Sequence, residues 1–154
     1  MKGRPYLDTG LVLKLVVPEP LSPRVTAWLA RRKAAVPYPR LVEVEMENTL
    51  QAKRFRQEIS SQQLQGARGL VRELLREGKF FRPDLSMDKV MLEALEAMPR
   101  TTAATGCRTL DLLHVISGKM LDCSEFLTAD KRQAEAARVY GLKVEFLQEG
   151  AVLY

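Results

Sequence analysis

The sequence is poor in the residues that most often carry recognisable chemistry. It has one histidine, His114, and two cysteines, Cys107 and Cys123, in 154 residues. A zinc site made of four cysteine and histidine ligands cannot be assembled from three such side chains. One histidine also excludes a paired-histidine nuclease and leaves no basis for a serine–histidine–aspartate arrangement. The cysteines form no C-x-x-C motif and read as reduced thiols of a cytosolic protein. Long apolar runs are missing as well. The stretch Leu11-Val12-Leu13-Lys14-Leu15-Val16-Val17 is far too short to span a bilayer, is interrupted by Lys14 and lacks a small-residue cleavage site. No export signal, no membrane contact and a cytoplasmic location are therefore expected. There is no glycine-rich phosphate loop, linker, repeat or low-complexity tract.

What is present suits one globular domain spanning 1–154. The length is close to the usual size of about 150 residues per domain, enough to bury a core without metal or disulfide staples. The 46% hydrophobic and 28% charged content is that of an ordinary soluble protein. Twenty-four Lys and Arg against 19 Asp and Glu give a net charge of +5. That excess favours polyanionic partners, either nucleic acid or an acidic protein.

Turn signals divide the chain into short alternating elements. Pro5-Tyr6-Leu7 is a candidate strand, and Thr9 to Val17 suits a buried helix closed by Pro18 and Pro20. Ser22-Pro23 opens a second helix, with Ser22 as N-cap, running to about Lys33. Ala34 to Val36 is a weak strand, and Arg40 to about Gln57 is helical. Ser60 or Ser61 caps a further amphipathic helix, an added segment around 60–78 ending before Gly78. Phe80-Phe81 is a short strand, Ser86 opens another helix, and Arg108 to Leu121 forms one more. Glu125 to Thr128 is a strand, Lys131 to Tyr140 a helix stopped by Gly141, and Lys143 to Leu147 the closing strand. Short strands separated by helices predict an α/β fold, with a small, mainly parallel central sheet flanked by helices.

Four carboxylates stand in places that solubility does not explain. Asp8 and Asp130 each follow a strand and precede a helix, at the carboxyl ends where open parallel sheets gather ligands. Both positions equally suit an N-cap. On a helical wheel Glu45 lies among Leu41, Val42, Thr49 and Ala52, with Glu43 and Glu47 on the solvated side. Its charge there requires a partner or a cation. Asp111 shares a narrow stripe with His114 and Gly118 on an otherwise apolar helix, which is either a solvent edge or the opening of a polar site, the second being preferred. His114 is read as an orienting or packing residue, since hard cations prefer oxygen. Two like charges about 4 Å apart repel by roughly 4 kcal/mol at an effective dielectric near 20, so four gathered carboxylates need a divalent cation or must protonate. Mg²⁺ or Mn²⁺ suits an all-oxygen site and can activate water for attack on a phosphodiester.

The order Tyr6-Leu7-Asp8-Thr9, Glu45-x-x-Asn48-x-Leu50, Asp111-x-x-His114 and Thr128-Ala129-Asp130-Lys131-Arg132 resembles a PIN domain. Within that family it is similar to the VapC-type toxins of prokaryotic toxin–antitoxin modules. The resemblance implies a parallel-sheet core and Mg²⁺- or Mn²⁺-dependent endoribonuclease activity. It also implies a homodimer and a cognate antitoxin whose C-terminal segment enters the active site. Asp8, Glu45, Asp111 and Asp130 match the acidic cluster, with Asp130 acting through water, and Thr9 and Thr128 match its polar supports. Two features depart from the pattern: the long stretch between Glu45 and Asp111, and Cys107-Arg108-Thr109-Leu110, which lacks the small residues common before that aspartate.

Basic residues occur in groups, at Arg31 to Lys33, at Lys53, Arg54 and Arg56, and at Arg68, Arg72 and Arg76. The last row is interleaved with Glu73 and Glu77, as on a solvated helix. Lys131 and Arg132, next to Asp130, are the preferred contacts for RNA phosphates. Tyr38 and Phe55 are expected to pack in the core rather than stack a base. The alternative reading is a catalytically inactive module of the same fold that binds RNA or protein. A phosphotransfer domain is disfavoured, because Gly10 stands where a haloacid-dehalogenase-like site needs a second aspartate.

Overall fold

Every pair of successive strands is separated by at least one helix, the kind of crossover that parallel pairing requires. The computed structural model describes residues 3–148. Along the chain these form β1 (Pro5–Leu7), α1 (Thr9–Val16), α2 (Ser22–Ala30), β2 (Val36–Pro37), α3 (Arg40–Phe55) and α4 (Ser61–Arg76). They continue as β3 (Phe80–Phe81), α5 (Met87–Thr105), α6 (Thr109–Met120), β4 (Glu125–Thr128), α7 (Lys131–Val139) and β5 (Lys143–Phe146). The expected α/β architecture is present.

All the strand pairs are parallel, but the hydrogen bonds form two ladders rather than one sheet. One has the order β1-β4-β5 and the other pairs β2 with β3, while β2 packs beside β1 without a ladder. Two residues per strand leave β2 too short to bond on both sides, and Pro37 has no N–H to give. In the first ladder Pro5, Tyr6 and Leu7 lie opposite Glu125, Phe126 and Leu127. Both strands are buried throughout, β4 with Glu125 and Thr128 at its ends as buried polar residues.

Helix boundaries follow local chemistry. Ser60 forms a reciprocal capping box with Gln63, and α5 stops at Gly106 in the left-handed conformation. The second helix departs from expectation. Leu21, not Ser22, occupies the N-cap, because the Ser22 hydroxyl is drawn into the preceding proline-rich turn. There it accepts from the Glu19 N–H at 2.9 Å and donates to the Val17 carbonyl at 3.1 Å. The helix also ends at Ala30, short of Lys33, where Arg32 folds back over the Trp28 ring and onto Glu125.

Helix α6 lies against the β1–β4 pair, and glycine makes this approach possible. Tyr6 and Phe126 stack with ring centroids 5.4 Å apart, and Gly118 sits directly on them. A Cβ at 118 would stand 3.3 Å from the Tyr6 Cβ and 3.4 Å from the Phe126 ring. The stripe of Asp111, His114 and Gly118 therefore faces the sheet, with His114 and Gly118 buried and Asp111 at its open end. Replacing Gly118 by valine forces α6 off the sheet and is expected to destabilise the fold by about 2 kcal/mol despite the gain in helix propensity. Urea unfolding measures this, and an unchanged midpoint would refute the close packing.

Candidate active site

Parallel pairing brings two of the four carboxylates to one edge. The Asp8 N–H donates to the Leu127 carbonyl at 3.0 Å, so Asp8 follows β1 where Thr128 ends β4. Asp130 is two residues further on. Helix α6 runs into β4 and so begins at this same edge, with Asp111 in its first turn. Helix α3 follows β2 and presents Glu45 in its second turn toward α1 and α6.

The two aspartates that suit an N-cap behave differently. Asp8 holds the N-cap position of α1 but makes no side-chain cap bond. Its Oδ1 instead accepts from the Gln133 amide at 3.2 Å. Asp130 does cap α7, its Oδ1 accepting from the Gln133 backbone N–H at 2.9 Å.

Gln133, fully buried, joins the two strand ends. Its Nε2 also points at the Asp111 carbonyl at 3.4 Å, and its Oε1 accepts from the Thr128 hydroxyl at 2.6 Å. The amide orientation follows from the partners: a carboxylate and a carbonyl only accept, so both must face Nε2. Thr128 accepts in turn from the Asp130 N–H at 3.0 Å.

Glu45 has found the partner its position demands, and that partner is His114. The His114 Nε2 and the Thr9 hydroxyl both bond Glu45 Oε1, the hydroxyl at 3.0 Å. On the far side of the ring Nδ1 meets the Tyr6 hydroxyl at 2.8 Å. Burial pushes the Glu45 carboxyl up, but the His114 bond and charge, with Thr9, outweigh it and leave its pKa lowered. His114 thus orients Glu45 from the core.

The aspartates lack such compensation. Burial raises the pKa of Asp111, and the charges of Asp130 and Asp8 raise it further against the weaker pull of Arg108 and His114. Asp8 is likewise raised, chiefly by burial and also by Glu45, despite His114 and the Gln133 bond. Asp111 thus feels Asp130 and Asp8, and Asp8 feels Glu45, which links the four charges.

A profile of the PIN domain matches residues 6–139, which contain every one of these residues. The chain belongs to the PIN-domain family. Among solved structures it is similar to FitAcB from Neisseria gonorrhoeae, with a TM-score of 0.59 and 14% identity over 93% of this chain and 96% of that one. It is also similar to a domain of a functionally unknown protein from Methanocaldococcus jannaschii, with a TM-score of 0.55 and 18% identity over 98% and 95% of the two chains. At these identities the likeness is one of fold. No curated protein matches the sequence.

PIN-domain nucleases generally use divalent metals, and the donor set of this PIN domain suits one by charge. Three aspartates and a glutamate offer only oxygen, and two of the aspartates, Asp8 and Asp111, are raised by burial and by the charge of a neighbouring acid. Among the described residues no three side chains already converge in metal-ligating positions. Glu45 is held to Thr9 and His114 through Oε1, and Asp8 to Gln133 through Oδ1.

The remaining candidates separate cleanly. Lys131 and Arg132 are exposed at the start of α7. Tyr38 is buried and stacks on Phe80, but Phe55 is 89% exposed at the end of α3, contrary to the expectation of core packing. It is the last residue of its helix, so no neighbouring turn covers it. Glu43 and Glu47 are not merely solvated: they pair with Arg82 and Arg68 beside a groove of about 600 Å³ between α3 and α4. That groove holds none of the four clustered carboxylates.

Gln133 is the residue that sequence reasoning missed, because a glutamine amid Lys131, Arg132 and Glu135 reads as solvated. Its only signal is the helical spacing that aligns it with the buried Ala134, Ala136 and Ala137. Gln133→Leu leaves Asp8 and the Thr128 hydroxyl without their partner. It is expected to lower stability by about 1–3 kcal/mol in urea unfolding; wild-type stability would show that the amide bears no strain of this kind.

Proposed function

We propose that this PIN domain is an endoribonuclease dependent on Mg²⁺ or Mn²⁺, the VapC-type toxin of a toxin–antitoxin pair. The observation that carries the reading is the cluster itself. Asp8, Asp111 and Asp130 stand at one edge of the parallel sheet with Glu45 facing them, and burial and neighbouring acids push Asp8 and Asp111 up, a strain that a divalent cation would relieve.

Asp8, Glu45 and Asp111 would hold the cation, Glu45 through the Oε2 that His114 and Thr9 leave aside, with Asp130 acting through water. Such a cation, when bound, supplies an activated water and neutralises charge at the phosphate. The protein contributes the rest. Gln133 aims Asp8, Thr9 and His114 aim Glu45, and Thr128 holds the backbone of Asp130. Lys131 and Arg132, exposed at the same edge, draw in the phosphate backbone, so substrate binding should weaken steeply with salt.

Two partners follow from this reading besides the RNA: a cognate antitoxin and a second copy of the chain. A homodimer is supported by an exposed apolar stripe on α5, where Met91, Leu92 and Leu95 are 49%, 57% and 64% exposed. Leu95→Glu is expected to halve the mass seen by light scattering at micromolar concentration; a wild-type monomer would remove the dimer.

One observation favours the second reading, an inactive RNA- or protein-binding module. Glu45 is already hydrogen-bonded by His114 and Thr9, so part of the cluster is satisfied without metal. Cleavage of total RNA separates the two. Wild-type protein should cut with Mg²⁺ or Mn²⁺ and not with EDTA, and Asp111→Asn should cut at least about 100-fold more slowly. Asp130→Asn is informative because asparagine caps a helix as well as aspartate does, so a loss of cutting at wild-type stability reports the charge alone. Full activity of Asp111→Asn would refute the nuclease assignment. Mg²⁺ at about 100 times its Kd should also stabilise the wild type by about 2.7 kcal/mol. Asp111→Asn should lose that response.

A further inference from the structure

Arg108 is the cation that the structure places on the acidic cluster, although the sequence pattern drew attention to Lys131 and Arg132. It occupies the N-cap position of α6, in extended conformation, and makes no cap bond. Its side chain reaches one turn forward, bringing Nε to 3.7 Å from Asp111 Oδ2, while remaining 80% exposed. No salt bridge among the described residues joins Lys131 or Arg132 to any of the four carboxylates.

The location is unfavourable for a cation on other grounds. The first turn of a helix carries the positive end of the dipole and attracts anions, so the attraction that draws the guanidinium there is that of Asp111. An ion pair so exposed is weak, worth about 0.2–1 kcal/mol, and its arm can swing at little cost. Once the carboxylates are neutralised, an exposed guanidinium at a helix N-terminus becomes a two-pronged donor for a phosphate.

Resting on the nuclease reading above, we propose that Arg108 alternates between two partners. It pairs with Asp111 while the cluster is bare, and it turns to an RNA phosphate when a divalent cation takes its place on Asp111. The side chain thereby couples the two ligands. Cation binding releases the group that grips the phosphate, and by linkage a bound phosphate backbone strengthens cation binding by the same factor. Arg108 is a positioning residue in this scheme, holding the substrate backbone beside the acids.

Mn²⁺ binding, followed by electron paramagnetic resonance with and without a short mixed-sequence phosphorothioate oligonucleotide, tests the coupling without turnover. In wild-type protein the oligonucleotide should tighten Mn²⁺ binding by about threefold to tenfold. Arg108→Ala should bind Mn²⁺ alone about twofold to fivefold more tightly, having lost a competitor, and should show no tightening by the oligonucleotide. Arg108→Lys keeps the competing charge but not the fork, and should restore the weaker Mn²⁺ affinity with only part of the coupling. An Arg108 that only pairs with Asp111 would change the Mn²⁺ affinity but not the coupling, so an Arg108→Ala protein with wild-type coupling overturns the proposal whatever its Mn²⁺ affinity. If wild-type protein binds Mn²⁺ and cuts RNA while Arg108→Ala is indistinguishable, Arg108 alone is misassigned. If the wild type binds no Mn²⁺, the metal site and this inference fall together.

Discussion

The parallel register between β1 and β4 is the constraint on which the rest depends. With Leu7 opposite Leu127, both chains leave the sheet at the same level and in the same direction, each into an aspartate-led helix. Helix α6, entering β4 from the opposite sense, must begin at that edge and so delivers Asp111 to it. The acidic cluster results from strand direction and needs no long-range code of its own. The cost of gathering like charges is met locally, by Gln133 at Asp8 and by the histidine at Glu45.

These two supports differ in kind. Glu45 is served from beneath by a column of buried polar groups, Tyr6 to His114 to Glu45 with Thr9 alongside, in which every donor has an acceptor. Asp8, with bonds from Gln133 and the Thr9 backbone, and Asp111, with Arg108 at 3.7 Å, are less well served, and burial leaves both with a raised affinity for protons. The site is thus divided into a satisfied half on α3 and a strained half on β1 and α6. A hard cation would find its largest gain on the strained half.

Much of this was legible in the sequence, and the reasons are specific. Strand ends followed by Asp8 and Asp130 are visible because proline, glycine and apolar runs punctuate every element. Glu45 stands out because a helical wheel surrounds it with apolar neighbours. The His114–Glu45 pair spans 69 positions and follows no period, so the need for a partner could be read but not its identity. The role of Gln133 depends on which way α7 rolls against β4, a matter of packing. The same limit applies to Phe55, whose aromatic character suggests a core but whose place at a helix end leaves it in solvent. Strand signals of two residues do not show whether a proline interrupts the pairing, so the sequence predicts one sheet where the structure has two ladders.

The single glutamine at the start of α7 has a further consequence for how this chain can change over time. One side chain serves Asp8, the Asp111 carbonyl and the Thr128 hydroxyl, while its backbone serves Asp130. Neighbours bound through one shared group do not vary independently. A loss at position 133 strands the Thr128 hydroxyl, and a later loss at position 128 then costs little, so the two positions drift as a pair or stay as they are. Divergence in the PIN domain's polar supports would therefore proceed by paired replacement, leaving the acidic residues themselves in place throughout.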